Sequence, residues 1–280
     1  MDTSLVWWMT LKVGRILQVF SFEFMQNAYI AGTFIAIVCG IMGVYVVGRN
    51  MSFLSHMLSE IGFSGASFGI FMGWPALNGM LLFTIVSSVL IGRMSVQASR
   101  REAAISAISS LFLGLGILFL AISSKNVSYA TNILFGSVIG ISRQEVWQVL
   151  VLTIVALLFI FFMYRSLKFD SFDHIGASVK GIHTNLVSII FLVVLALSVS
   201  TAAQVVGSLL IFVLLTLPAS AAKFVSKTVS GMMLFAVIAA LIGVWLGLYL
   251  GYVTNWPVSF FIATIECAIY FGALLFNKNK

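Results

Sequence analysis

His56 and Glu60 stand four residues apart inside the apolar stretch FLSHMLSEIGFSGASFG. On a helix, positions i and i+4 share one face, so an imidazole and a carboxylate at that spacing converge on one spot. Such a pair can bind a divalent cation or relay protons. An ionisable group in hydrocarbon is costly and is seldom idle. Glu266, in FFIATIECAIYFG, is a second acid deep in an apolar run. It is a candidate for lining a pathway, or for a protonated and hydrogen-bonded group. Cys39 and Cys267 also fall in apolar runs, where each is expected to be a small buried hydrophobe.

The elements that must position these groups follow from composition. The chain has 280 residues, of which 61% are hydrophobic and only 8% charged. The mean hydropathy is +1.14. A soluble domain of this length cannot cover itself with so few charges, so the class is an all-α polytopic membrane protein. Apolar runs of about 20 residues exclude a β-barrel, whose strands alternate and are shorter. The runs predict nine spans, near 27–48, 53–73, 77–93, 103–123, 146–165, 183–202, 205–222, 229–252 and 257–276. The expected fold is therefore about eight to nine transmembrane helices plus a re-entrant or short helix. That extra piece is YATNILFGSVIGIS (129–142), short and rich in Gly and Ser. Residues 1–26 lack the order of a cleavable signal and read as an interfacial amphipathic segment, with Trp7 and Trp8 at headgroup level. Residues 27–280 then form one transmembrane domain.

Charge placement sets the orientation. With GRMSVQASRRE in the cytoplasm, eleven of the fifteen Lys and Arg fall inside, and Lys12, Arg15, Lys125 and Arg143 fall outside. The C-terminus is then cytoplasmic and the N-terminus external. This bias also explains the net charge of +7 without any nucleic acid. One inner loop, SLKFDSFDHIGASVKGI (166–182), is longer than the others and carries Asp170, Asp173, His174 and Lys180. A loop of that length is expected to fold or to dock on something. Pro218 removes a hydrogen bond within a predicted span and should bend it. Gly62, Gly65, Gly69 and Gly73 form a small-residue stripe that lets helices approach closely. Asn126 and Asn132 lie near the expected outer mouth.

The chain has no G-x-x-x-x-G-K-[ST], no HExxH and no CxxC. A hydrolase or synthase is not expected. A nucleotide-powered process needs its engine on another chain.

The segment QVVGSLLIFVLLTLPASAA (204–222) resembles a stretch of the permease subunits of bacterial zinc and manganese ABC importers. Other landmarks follow in the same order: FMQNA (24–28), GRNMSFLSHMLSEIG (48–62), ILFGSVIGIS (133–142) and KFDSFDHIGASVKGI (168–182). The resemblance runs from about residue 24 to the C-terminus. It implies a type II ABC importer-like fold in a bacterial plasma membrane and a homodimer with a pathway between the copies. It further implies a cytoplasmic ATPase pair, which binds the ATP, and an external lipoprotein that delivers the metal. The family's coupling segment falls on Asp170, Phe172, Asp173, His174, Gly176, Lys180 and Gly181. The bent helix with Pro218 would lie near the pathway.

This sequence departs from the family at the metal position. The family's D-x-x-x-H in the second span is met here by His56-x-x-x-Glu60, with the residue types exchanged. Nitrogen plus oxygen ligation suits zinc, manganese or iron(II). The metal is then cargo, and no permanently bound cofactor is expected. Two other readings stay open: a secondary carrier with Glu60 and Glu266 as titrating groups, and a sensing homologue that has lost transport.

Overall fold

A computed structural model describes residues 22–93, 98–123, 136 and 140–278. Among them run ten α-helices: α1 (Glu23–Gly48), α2 (Ser52–Phe71), α3 (Ala76–Arg93), α4 (Ala98–Ile122), α5 (Arg143–Phe172), α6 (His174–Val179), α7 (Thr184–Val206), α8 (Ser208–Val225), α9 (Val229–Thr254) and α10 (Val258–Lys278). Each of the nine expected spans falls on one long helix. Eight of these are long and apolar enough to cross a membrane. The ninth, α2, falls short by composition, because it carries five serines besides His56 and Glu60. Most of its side chains are nevertheless buried in protein. Residues 1–21 of the expected interfacial segment lie outside the described residues, as do Asn126, Asn132 and most of 129–142.

Lipid supplies no hydrophobic drive between helices, so close backbone packing has to hold them. Gly65 of α2 and Gly79 of α3 do this. A methyl on either would strike the backbone of the other. Gly69 lies against Pro75 and Ala76, and Gly62 faces Thr84. Gly73 does not belong to this stripe. It sits in the α2–α3 turn with φ of 73°, a left-handed conformation that favours glycine. On the other face of α2, a methyl on Gly116 of α4 would come within 2.7 Å of Ser64. α1 is the central helix, packed on α9, α8 and α5. Its Gly43 lies on the Leu215 carbonyl and its Gly40 on Val237.

Cross-helix contacts fix the direction of each element. Arg143 pairs with Glu23 at 2.7 Å, and Asn27 Nδ2 donates to Ile141 O at 3.0 Å. The starts of α1 and α5 therefore share one end of the bundle. Phe119 packs on Phe68 and Phe71, which brings the finish of α4 to that same end. The stretch between α4 and α5 consequently begins and ends on one side. Gly136, with φ of 80°, lies on the backbone of Val206 and Gly207.

The junction of α7 and α8 is a single residue, Gly207, with φ of 94° and ψ of 150°. The expected boundary, a gap at 203–204, is displaced because one glycine outside helical geometry suffices to stop one helix and start the next. Ser59, midway along α2, donates its hydroxyl to the Ser208 carbonyl there.

The expected loop 166–182 is largely helical. α5 continues through Phe172, then Asp173 caps α6, its Oδ1 accepting from Gly176 N at 2.9 Å. Within it, Leu167, Asp170 and Ser171 are buried against neighbouring helices. Cys39 is buried as expected. Cys267 is exposed on α10, so the expectation of a buried hydrophobe fails there.

Candidate functional site

α2 brings the ionisable pair together. His56 Nε2 lies 3.7 Å from Glu60 Oε1, and the two side chains are 34% and 31% exposed. Neighbouring helices orient each partner. Ser109 of α4 donates its hydroxyl to Glu60 Oε2 at 3.0 Å. The His56 ring packs on Phe212 of α8, with centroids 5.1 Å apart. Its Nδ1 is buried without a hydrogen-bond partner among the described residues. The spacing is too long for a tight ion pair but close enough for both groups to reach one cation. Among the described residues, no third His, Cys, Asp or Glu joins them. Ser109 and Phe212 escaped the sequence reading, since a serine or a phenylalanine in an apolar helix carries no signal of its neighbour.

At the end of the bundle where α5 finishes, α6 stands out from the helices that flank it. Ile175 and Val179 lie one turn apart and are 78% and 82% exposed. Phe172 is partly exposed, with its ring over Gly48. α6 is closed by Gly181, with φ of 76°. Gly181 N donates to Ser178 O and Ile182 N to Ala177 O, both at 3.1 Å. Gly176 is required by the cap, because a side chain there would strike the Asp173 carboxylate. Lys180 lies over the Phe169 ring at 4.1 Å. Asp170 points the other way. It is buried and paired with Arg49 at 2.6 Å.

A bundle of this topology has known counterparts. Residues 21–277 match the ABC 3 transport family. The chain belongs to that family. It is 29% identical over 256 residues to the manganese import system permease protein ScaB of Streptococcus parasanguinis, covering 91% of this chain and 89% of ScaB. It is 25% identical over 264 residues to the manganese transport system membrane protein MntC of Listeria monocytogenes, covering 92% of each. Among solved structures it is similar to a chain of PsaBC from Streptococcus pneumoniae in complex with Fab. The TM-score is 0.82 at 25% identity, covering 92% of this chain and 95% of that one.

Within this ABC 3 chain, the other two candidates lie apart from the pair. Pro218 is buried inside α8, about a turn and a half beyond Phe212. Glu266 is fully buried on α10, which packs mainly on α8 and α9. Its carboxylate rests on Gly243, where a methyl would strike it, and neither oxygen has a hydrogen-bond partner among the described residues. The hydrogen-bonded arrangement expected for it is absent there.

Proposed function

We propose that this chain is the permease subunit of an ATP-driven importer of divalent metal, with Mn2+ as the preferred cargo. The observation that carries this reading is the likeness, over nine-tenths of the chain, to permeases of manganese import systems. His56 and Glu60 are the groups that meet the cation. One imidazole with a carboxylate and a nearby hydroxyl leans toward a hard divalent ion. Two protein ligands per copy strip part of a hydration shell and still let the ion leave. A homodimer would present two such pairs across the seam between its copies.

The energy source is a separate ATPase, since this sequence has no phosphate cradle. Ile175 and Val179 give that ATPase an apolar foothold on α6, with Phe172, Asp173, His174, Gly176, Lys180 and Gly181 shaping the turn. An external metal-binding lipoprotein delivers the ion to the opposite end. The excess of Lys and Arg at the α6 end supports a cytoplasmic location for it, which puts the C-terminus inside and the N-terminus outside. Residues 27–280 act as one transmembrane domain. Pro218 lies within α8 and Glu266 on the neighbouring α10, and neither holds the ion.

The test is uptake of radioactive Mn2+, with Zn2+ and Fe2+ as competitors, by the complex reconstituted in vesicles. Wild-type uptake that needs ATP and disappears in His56→Ala/Glu60→Ala supports the reading. Undiminished uptake by that double variant removes the pair from the mechanism. Zn2+ outcompeting Mn2+ reassigns the cargo.

A further inference from the structure

The Arg49 guanidinium, at the corner between α1 and α2, meets the chain on both sides of α6. Arg49 is the residue that ends α1. The chain then reaches α2 through Asn50 and Met51 alone. Asn50 is left-handed with φ of 54°. Its N–H donates to Val47 O at 3.3 Å, and Met51 N donates to Val46 O at 2.9 Å. This double closure makes the turn stiff. His56 follows on the second turn of α2, so whatever displaces Arg49 displaces the pair.

Arg49 Nη2 meets Asp170 Oδ2 at 2.6 Å, and Nε donates to Ser171 Oγ at 2.8 Å. Both partners lie in the last turn of α5, just before Asp173 caps α6. Nη1 donates to Ser188 Oγ at 3.1 Å, and Ser188 lies near the start of α7, just after α6. Phe191 of α7 packs under the guanidinium at 4.5 Å. The side chains of Arg49 and Asp170 are 5% and 1% exposed, so water does not compete for these bonds. Only a planar fork with several fixed donors can hold three partners on two helices at once, and an ammonium cannot copy it.

We propose that Arg49 is a positioning residue that transmits movement of α6 to α2, so that ATPase action at Ile175 and Val179 reaches His56 and Glu60. The proposal rests on the importer reading above and adds the route by which α6 and the pair communicate.

The experiment uses the permease–ATPase complex in vesicles and reads two quantities. One is Mn2+ delivered per ATP hydrolysed. The other is hydrogen exchange across residues 52–60, with and without ATP. In Arg49→Ala, Mn2+ per ATP falls about tenfold while ATP hydrolysis continues, and the ATP-dependent change in exchange disappears. Arg49→Lys and Asp170→Asn, which preserve bulk, show the same loss of ratio if Arg49→Ala does not assemble. An unchanged ratio, or uptake and hydrolysis falling together in proportion to assembled complex, overturns the proposal. So does an exchange response that survives in Arg49→Ala or is missing from the wild type. A wild type that responds in exchange through Arg49 yet moves no metal retains the link and refutes the importer reading instead.

Discussion

The His56–Glu60 pair and the Arg49–Asp170 pair lie at the two ends of a short stretch of chain and are built for opposite purposes. Arg49 and Asp170 touch at 2.6 Å, are almost fully buried, and have two serines and an aromatic ring filling the remaining positions around the guanidinium. His56 and Glu60 stand 3.7 Å apart, about one-third exposed, with one imidazole nitrogen unpartnered among the described residues. A closed, saturated pair is a fixture of the fold. An open, unsaturated one has capacity left for an incoming ion. Placing both on the α1–α2 corner puts a rigid pivot two turns of chain away from a binding surface.

Breaking the closed pair should have the largest effect on stability. Asp170→Ala leaves Arg49 buried without its counter-charge and should cost about 3–5 kcal/mol, read as a fall in melting temperature of the purified permease. A melting temperature within a degree of wild type would mean the corner is not held by this bond. The open pair should behave in reverse. Glu60→Ala should change stability by less than about 1 kcal/mol while abolishing Mn2+ uptake. A variant that melts early and still transports would make the pair structural. Ser109→Ala removes one hydrogen bond from Glu60 and should weaken Mn2+ binding by about 0.5–1.5 kcal/mol, measurable by titration calorimetry.

Glu266 sharpens the contrast as a third case, an acid with no hydrogen-bond partner among the described residues. No described group balances a negative charge there, so Glu266→Gln, of equal shape, should be neutral or stabilising by about 1 kcal/mol. A marked loss of melting temperature or of uptake in that variant would show that the proton or the charge of Glu266 is used.

Much of this architecture was legible in the chain itself. The nine apolar runs became nine long helices, because a run of about 20 apolar residues has few alternatives in a bilayer. The i, i+4 spacing put His56 and Glu60 on one face, because helix geometry leaves no choice. The errors cluster where a distant partner decides. The predicted span ending at 165 left 166–182 as a loop expected to fold or dock, yet α5 itself runs on through Lys168 and Asp170. The partner that neutralises Asp170 is 121 residues away, and no local pattern announces it. Gly73 looked like the end of a packing stripe and is a turn, since spacing does not say where a helix stops. Ile175 and Val179 passed unnoticed because two apolar residues in an apolar protein mean nothing until one sees that nothing covers them.

By itself, then, the sequence determined the number of long helices, the membrane setting and the one-helix adjacency of an imidazole and a carboxylate, all of which depend on short-range periodicity and on total apolar content. Only the tertiary structure decided which charges are spent on holding the bundle and which remain open. That choice depends on what α4, α5, α7 and α8 bring to within about 3 Å of each group, and such distances are set by packing between segments far apart in the chain.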